Sequence, residues 1–232
     1  MKNVVILSCG PGLPEIVKKY GHSSDWIPNI VKNDKVNFLI KKVYNNDFEI
    51  DVKPDAFIVT GSKYSVYDNS PWIKKLKSYI KQLIDNNNYI LGICFGHQIL
   101  AHCLGGEVKK NTLGWELGSY KIHLSKKGLK NKLFYGFNSE EVVYESHQDV
   151  VSSLPLEAVE LAYTNKGNQS FCVDGFLYGV QFHPEFSYDV IRKLMDLRIK
   201  RGVEIDDEDL IASKNGKNIL NNFIDIVQRR MK

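Results

Sequence analysis

Apolar runs that end at glycine-rich turns recur along the first hundred residues. Three of these runs are continuous and rich in valine or isoleucine, at residues 3–7, 55–62 and 89–93. Uninterrupted apolar runs of this length are typical of strands that are buried on both faces of a sheet. The pattern therefore predicts three strands near the centre of a parallel sheet.

Helical spacing lies between and after these runs. The apolar positions of residues 71–87 are three and four apart, at Trp72, Leu76, Ile80 and Leu83. This spacing predicts an amphipathic helix, with Ser70 as its cap and Pro71 as its first residue. Residues 95–106 predict a second helix that ends at glycine. Strands that alternate with helices imply right-handed crossovers and a parallel sheet.

The second half of the chain alternates shorter β-type runs with turn residues. These runs lie at residues 118–128, 140–146, 158–165, 169–175 and 177–183. They predict hairpins and edge strands that join the same sheet. Residues 188–202 and 216–230 predict two helices around an acidic connector at 204–210. The fold class is therefore α/β, with an open, mostly parallel sheet flanked by helices and extended by β-hairpins. We expect a single domain over residues 1–232 with a helical C-terminal extension over 188–232.

Composition and charge narrow the range of partners. The 232 residues are 43% hydrophobic and 11% aromatic, enough for a packed core. The net charge of +4 comes mainly from lysines scattered among acids, without the dense basic stripe of a nucleic-acid-binding surface. No stretch has the length and apolarity of a membrane span or secretory signal, and four scattered cysteines are typical of reduced thiols. We expect a cytoplasmic protein with no nucleic-acid or membrane partner.

One cysteine stands between two glycines, where an apolar run turns into a helix. Gly92, Cys94 and Gly96 form a G-x-C-x-G pattern at the carboxyl end of a predicted strand, where ligands bind in open α/β sheets. Small neighbours permit the strained turn that exposes a nucleophile, and the start of the next helix stabilises a thiolate. On its own, the pattern also suits a small core residue, because unpaired cysteine is among the most buried residue types.

A base for such a nucleophile is offered by His183, which begins the sequence His-Pro-Glu. Proline keeps the preceding residue extended, and alternate residues of an extended segment lie on the same side. Glu185 can therefore hold the ring of His183, as the third member of a catalytic triad does. A surface His-Pro turn is the alternative interpretation of this stretch taken alone.

The segments GICFGHQIL, GVQFHPE and TGSKYSVYDNSPWI together resemble the class I, triad-type glutamine amidotransferases. The resemblance extends from the first strand to the helix after His183, and it is strongest to free-standing chains similar to the glutaminase half of GMP synthase. It implies the flavodoxin-like fold of that family. It also implies an enzyme that uses no cofactor and no metal, with glutamine or a γ-glutamyl compound as its substrate.

The resemblance implies a catalytic role for each matching residue. Cys94 would attack the side-chain carboxamide of glutamine, and His183 would protonate the departing ammonia before activating water. Glu185 would orient the imidazole and stabilise its charged form. The oxyanion donors that the resemblance implies are the backbone N–H groups of Phe95 and of either Gly61 or Ser62.

The same resemblance implies binding roles for three further residues. Gln98 would contact the amino-acid end of the substrate, and Asp149 would lie near its ammonium group. His147 would share that role or serve the acceptor, with a plain exposed loop as the alternative. Trp115 and Glu116 would line the mouth of the pocket or, alternatively, pack in a hairpin.

Two features depart from the family pattern. The loop after the first strand, residues 8–26, is longer than in a minimal glutaminase, and Gly61-Ser62-Lys63 replaces the common Gly-Gly-Pro. The second departure leaves the identity of the oxyanion donor open. A residue other than glycine still donates its backbone N–H at this position if the turn is compatible.

Two functions stay open at this point. In the first, glutamine is hydrolysed and the ammonia passes to a separate synthase subunit, because this sequence has no Walker-type phosphate loop for ATP. In the second, the chain alone hydrolyses a γ-glutamyl peptide or conjugate. A non-catalytic binding module is a remote third alternative. A zinc site from Cys94, His97, His102 and Cys103 is disfavoured, because these positions on one helix face different directions.

Overall fold

Eleven strands and six helices make up the part of the chain that the computed structural model describes, residues 1–205 and 209–229. The strands are β1 (Lys2–Ser8), β2 (Val36–Lys42), β3 (Ala56–Val59), β4 (Tyr89–Ile93), β5 (Glu107–Lys110), β6 (Glu116–Leu124), β7 (Glu140–His147), β8 (Asp149–Ser153), β9 (Val159–Thr164), β10 (Gly167–Val173) and β11 (Leu177–Val180). The helices are α1 (Pro14–Tyr20), α2 (Ser23–Val31), α3 (Pro71–Asp85), α4 (Phe95–Cys103), α5 (Tyr188–Ile199) and α6 (Asn218–Arg229).

Nine of the strands form one sheet in the order β2-β1-β3-β4-β11-β10-β9-β6-β7. The first five strands of this order are parallel, and every pair from β11 to β7 is antiparallel. The predicted α/β fold with an open sheet and added hairpins is therefore confirmed, although the antiparallel half is as large as the parallel half. Strands β5 and β8 form a separate two-stranded sheet, which the sequence pattern did not predict.

The parallel half is buried on both faces, as its apolar runs predict. Val4 and Ile6 of β1 belong to a core that includes residues of α2 and α6. Val5 and Leu7, which point to the opposite face, belong to a core with residues of α3 and α4. Helix α6 contributes Phe223 and its neighbours to the first of these cores, so it packs on the sheet as closely as the helices between the strands do.

The segment after β1 differs from the long loop predicted there. It forms helices α1 and α2, and α1 begins with Pro14 at its first position. Ile16 of α1 packs in a third cluster with Leu117 and Tyr144 of the antiparallel strands and with Leu194 of α5. Helices this short depend on tertiary packing for their stability, which explains why the local pattern gave only a weak signal.

Several local predictions need correction. Strand β2 was not predicted, because its half-buried edge position mixes polar with apolar residues. In the first turn of α3 the buried residue is Ile73, whereas Trp72 is partly buried and packs against Tyr64 and Phe95. Ser70 precedes α3 in an extended conformation, but its side chain makes no capping hydrogen bond.

The predicted acidic connector and the last helix fall partly outside the described residues. Residues 206–208 of the connector and residue 230 of the helix are not described, nor are the last two residues of the predicted extension. Among the helices between residues 1 and 229 that are described, none combines the length and apolarity needed to cross a membrane.

The register of the central strands brings three loops to one edge of the sheet. Strands β3, β4 and β11 are adjacent and parallel, with Val59 paired to Gly92 and Val180 paired to Ile93. Their carboxyl ends therefore lie side by side. The loops that follow these ends carry the Gly61–Ser62 turn, the predicted nucleophile and the predicted base.

Replacement of Gly96 by alanine tests how tightly α4 packs on this edge. A Cβ atom at Gly96 would overlap the carbonyl oxygen of Val59, so we expect Gly96→Ala to lower the free energy of unfolding by about 3 kcal/mol. Gly105→Ala is the matched control, because a Cβ there meets no atom within 4 Å and its positive φ costs only about 1 kcal/mol. Urea unfolding followed by circular dichroism measures both. Equal losses would contradict the tight packing.

Candidate active site

The predicted nucleophile lies on a strained turn between β4 and α4. Cys94 has φ +51° and ψ −103°, a conformation that costs energy for a residue with a side chain. Its backbone N–H donates to the carbonyl of Val180 at 2.9 Å. A Cβ at Gly92 would overlap the backbone of Gly96, and one at Gly96 would overlap Val59. The two glycines thus let the helix start directly on the strand ends with the thiol between them.

The predicted base and its orienting carboxylate form a buried pair. The Nδ1 atom of His183 lies 2.8 Å from Oε1 of Glu185, and the ring of Phe186 stacks on the imidazole at 3.9 Å between centroids. The other ring nitrogen, Nε2, makes no hydrogen bond within the described part of the chain. The contact with Glu185 and the stacking on Phe186 leave Nε2 as the nitrogen that is available to a reacting group.

Charge favours the protonated form of this imidazole. Burial opposes a positive charge on the ring, but the nearby charges of Glu185 and Cys94 outweigh burial and raise the pKa of His183 well above its ordinary value. This environment therefore favours the imidazolium over the neutral ring. A thiolate next to an imidazolium is the arrangement that a cysteine nucleophile needs.

The Gly61–Ser62 turn completes this grouping. A Cβ at Gly61 would lie 2.8 Å from Cε1 of His183 and 3.6 Å from Cβ of Cys94, so the turn, the imidazole and the thiol adjoin one another. Phe95 is the first residue of α4, and the first N–H groups of a helix have no acceptor within the helix. The structure brings together the residues predicted for the catalytic and oxyanion roles. The choice between the N–H of Gly61 and that of Ser62 stays a prediction.

Cys94 opens on a cavity that all three predicted binding residues line, Gln98, His147 and Asp149. This nucleophile cavity is lined by Cys94, Gln98, Trp115, Asp149 and Arg198, among others. The Nε2 atom of Gln98 donates to the backbone oxygen of Asp149 at 2.8 Å, which fixes the amide beside the thiol. The carboxylate of Asp149 accepts hydrogen bonds from the hydroxyl groups of Ser65 and Tyr67.

His147 does not lie on an exposed loop. It is buried at the end of β7, where its Nδ1 lies 3.0 Å from the backbone oxygen of Asp149. Its Nε2 lies 3.1 Å from Oε2 of Glu145 and 3.4 Å from Oε2 of Glu116. Burial lowers the pKa of His147 to about 4 in spite of Glu116. The ring therefore contacts the chain turn at Asp149 and also lines the nucleophile cavity.

Trp115 and Glu116, predicted together for the pocket mouth, have different positions. Trp115 lines the nucleophile cavity. Glu116 is fully buried and accepts hydrogen bonds from Thr164 and Gln169, both at 2.9 Å. Burial raises the pKa of Glu116. Alternation along β6 turns successive residues to opposite sides, so Glu116 faces the interior.

A second cavity lies beside His183, on residues that sequence reasoning missed. This helical cavity is lined by apolar side chains of α1, α2 and α5, including Ile16, Trp26 and Leu194, and by Gly61 and His183. The missed signal was the spacing of Leu13, Ile16, Val17 and Tyr20 around a proline, which is helical. Arg198 of α5 was missed as well, because no motif surrounds it.

The histidines of α4 are not arranged for metal binding. His97 is buried and packs against Phe171, with 5.0 Å between ring centroids, and burial lowers its pKa to about 3. Across residues 1–205 and 209–229, no group of three or more histidine, cysteine or acidic side chains is placed to hold a metal ion. Cys94, His97, His102 and Cys103 therefore do not converge on one point of the described structure.

Comparison with known proteins identifies the family. The model of the family "Glutamine amidotransferase class-I" matches residues 17–195. The chain belongs to this family. A glutamine amidotransferase of Thermotoga maritima has a similar crystal structure, with a TM-score of 0.77 over 98% of both chains at 21% identity. That similarity shows the fold, and the family match confirms the prediction of a glutamine amidotransferase-type enzyme.

Two relatives of this glutamine amidotransferase-family chain have names that state different activities. The chain is 34% identical over 156 residues to gamma-glutamyl peptidase 5 of Arabidopsis thaliana. This alignment covers 66% of this chain and 62% of that protein. It is 33% identical over 180 residues to the GMP synthase (glutamine-hydrolyzing) of Treponema denticola. This alignment covers 77% of this chain and 28% of that protein. The aligned region is thus less than two thirds of either relative.

Selective alkylation tests the setting of Cys94. Burial raises the pKa of Cys103 to about 11 and that of Cys9 even further, and it also raises the pKa of Cys172. Cys94 instead opens on a cavity at a helix N-terminus beside His183, a setting that stabilises a thiolate. We expect iodoacetamide at pH 7 to label Cys94 roughly tenfold faster than any other cysteine, as read by peptide mass spectrometry. Equal labelling of Cys103 would contradict this assignment.

Proposed function

We propose that this chain hydrolyses γ-glutamyl amide bonds through a thioester on Cys94. The observation that carries the proposal is the contact between three loops at one sheet edge, which places the thiol beside a buried His183–Glu185 pair. A nucleophile, a base and an orienting carboxylate in this arrangement suit acyl transfer. The two named relatives, a γ-glutamyl peptidase and a glutamine-hydrolysing synthase, support the same substrate group.

In the first step, the thiolate of Cys94 attacks the γ-carbonyl carbon and the C–N bond breaks. The imidazolium of His183 transfers its Nε2 proton to the departing nitrogen, which leaves as an amine or ammonia. Glu185 holds the ring through Nδ1, so the proton-donating nitrogen stays on the thiol side. Its charge also stabilises the imidazolium before the transfer.

In the second step, water attacks the thioester carbon while the neutral His183 takes a proton from it. The C–S bond breaks, glutamate leaves and the thiolate with its imidazolium is restored. In both steps the carbonyl oxygen becomes an oxyanion, which the backbone N–H of Phe95 and one N–H of the Gly61–Ser62 turn would hold. Loss of one such donor typically costs about 10²- to 10³-fold in rate.

The nucleophile cavity is the proposed site of the γ-glutamyl group. Gln98 lies one helical turn after Cys94, and Asp149 supplies a carboxylate for the α-ammonium group of the substrate. His147 would support Asp149 through the backbone contact at 3.0 Å, and it also lines the cavity that would hold the substrate.

The helical cavity is the proposed site of the leaving group, because it adjoins His183 on the other side of the Gly61 turn. Its volume is about 110 Å³, whereas one water-sized molecule such as ammonia needs roughly 10–15 Å³. The cavity therefore accommodates a group several times larger than ammonia, and its apolar walls suit a carbon-rich one. We infer that the substrate is a γ-glutamyl peptide or conjugate.

A second candidate function is a glutaminase that supplies ammonia to a separate synthase subunit. Its support is the similarity to a region that makes up 28% of a GMP synthase. Glutamate release from glutamine and from a panel of γ-glutamyl dipeptides and anilides separates the two candidates. Fast cleavage of conjugates favours the peptidase, and cleavage of glutamine alone favours the synthase subunit. A cytoplasmic location accords with either, because four unpaired cysteines suit a reducing compartment.

Replacement of the nucleophile tests the thioester. We expect Cys94→Ser to lower turnover of a γ-glutamyl amide by about 10⁴-fold and to remove the acyl-enzyme mass seen after acid quench, while the circular dichroism spectrum stays that of the wild type. Cys103→Ser is the matched control, since this thiol lies at the far end of α4, and it should retain full activity. Undiminished turnover in Cys94→Ser would exclude Cys94 from the mechanism.

The pH profile tests the roles of His183 and Glu185. The charge of Glu185 raises the pKa of His183, so Glu185→Gln should lower that pKa. The imidazolium is then lost at lower pH, and we expect the alkaline limb of kcat/KM to move toward acid. We also expect a smaller loss of activity than in His183→Ala, because Glu185 transfers no proton. An unmoved alkaline limb in Glu185→Gln would show that the orienting role is misassigned.

A further inference from the structure

Arg198 of helix α5 occupies the boundary between the two cavities. It lines both the nucleophile cavity and the helical cavity. Its guanidinium carbon lies 4.9 Å from the centroid of the Trp115 ring, a cation–π contact that holds the plane of the side chain. Its Nε atom is buried and has no hydrogen-bond partner among residues 1–205 and 209–229. A partly buried donor of this kind has capacity for a ligand.

The nucleophile cavity thereby contains a partly buried cation, Arg198, and an anion, Asp149, that have no ion-pair partner in the described ranges. The carboxylate of Asp149 accepts hydrogen bonds from hydroxyl groups only, those of Ser65 and Tyr67. Within the described ranges, neither Asp149 nor Arg198 forms an ion pair. Charges that are partly removed from water are costly without a partner of opposite sign, so the pair suits a ligand that carries both signs.

We infer that Arg198 binds the α-carboxylate of the γ-glutamyl group while Asp149 binds its α-ammonium. This inference rests on the proposed function, which places the γ-glutamyl group in the nucleophile cavity. The amino-acid end of that group is a zwitterion, and the cavity presents one charge for each of its charges. Trp115 is the positioning residue that keeps the guanidinium fork directed at the carboxylate.

Two other assignments fit the structure less well. A peptide leaving group also carries a carboxylate, and Arg198 also lines the helical cavity that would hold it, but Asp149, the anion that would bind a neighbouring ammonium group, lines the nucleophile cavity instead. Lys63 is a further cation on the wall of both cavities, but it is exposed and its ammonium lies 5.4 Å from the ring of Tyr64. Arg198 is the more desolvated cation, and burial lowers the pKa of its guanidinium.

Affinity labelling of Cys94 by the diazoketone 6-diazo-5-oxo-L-norleucine tests the inference. The reagent has no amine leaving group, so the result depends only on binding of the glutamyl part. This reagent carries the α-ammonium and α-carboxylate of glutamine. We expect Arg198→Gln to raise the concentration for half-maximal labelling roughly 10- to 100-fold, with an unchanged maximal rate, and Arg198→Lys to restore part of the affinity. The matched control is Arg192→Gln on the same helix, which lines neither cavity and should behave as the wild type.

Two further reagents separate the α-carboxylate from other roles of Arg198. The decarboxylated diazoketone, 5-amino-1-diazopentan-2-one, should label wild type and Arg198→Gln equally, because it lacks the group that Arg198 binds. Iodoacetamide should also label both equally. A parallel loss of iodoacetamide reactivity would overturn the inference, since Arg198 would then act on the thiolate. An equal loss with both diazoketones would overturn it too.

Turnover distinguishes the two possible sources of the carboxylate. We expect Arg198→Gln to raise KM alike for γ-glutamylglycine and for γ-glutamyl methylamide, whose leaving group has no carboxylate. A rise confined to γ-glutamylglycine would move Arg198 to the leaving group and overturn the inference. Trp115→Leu should raise KM in the same direction and Trp115→Phe should restore it. Wild-type protein that iodoacetamide labels but the diazoketone does not would instead refute the proposed function itself.

Discussion

The close approach of helix α4 to the ends of β3 and β4 is the constraint on which the site depends. Gly92 and Gly96 leave no side-chain volume between the helix and the strands. The backbone must therefore change direction at the single residue that connects β4 to α4. Cys94 takes that position with φ +51°. The strain of the turn is held by the packing of a sheet whose central strands are fully buried, and the thiol emerges where three loops meet.

The titratable groups of the site form two layers, one next to the thiol and one behind it, and their pKa values are shifted in different ways. Next to the thiol, Glu185 and Cys94 favour a proton on His183. Behind it, burial raises the pKa of Glu116 and Glu145 and lowers that of His147, so this inner group tends toward neutral forms. Burial thus opposes charge on the inner groups, whereas the outer carboxylate of Glu185 favours charge on the imidazole, where the proposed reaction needs it.

The parallel half of the sheet could be predicted, and the proposed catalytic residues could be selected, because each has a local signature. Continuous apolar runs mark β1, β3 and β4, and glycine spacing marks Cys94, whereas His183 and Glu185 are marked by the intervening proline. Helices α1 and α2 escaped prediction because their stability comes from partners distant in sequence. Arg198 was not predicted because an arginine on an amphipathic helix has no local feature that distinguishes a cavity wall from a solvated face.

The residues proposed for catalysis and those that shape the helical cavity belong to different parts of the chain. The proposed nucleophile, base and oxyanion turn follow strand ends, whereas the helical cavity is lined by residues of α1, α2 and α5. An ion pair of 3.1 Å between Glu15 and Arg201 ties α1 to the end of α5 across most of the sequence. Changes in these three helices would therefore alter the size and polarity of the group that fits beside His183, while the proposed reaction at the strand ends would stay the same.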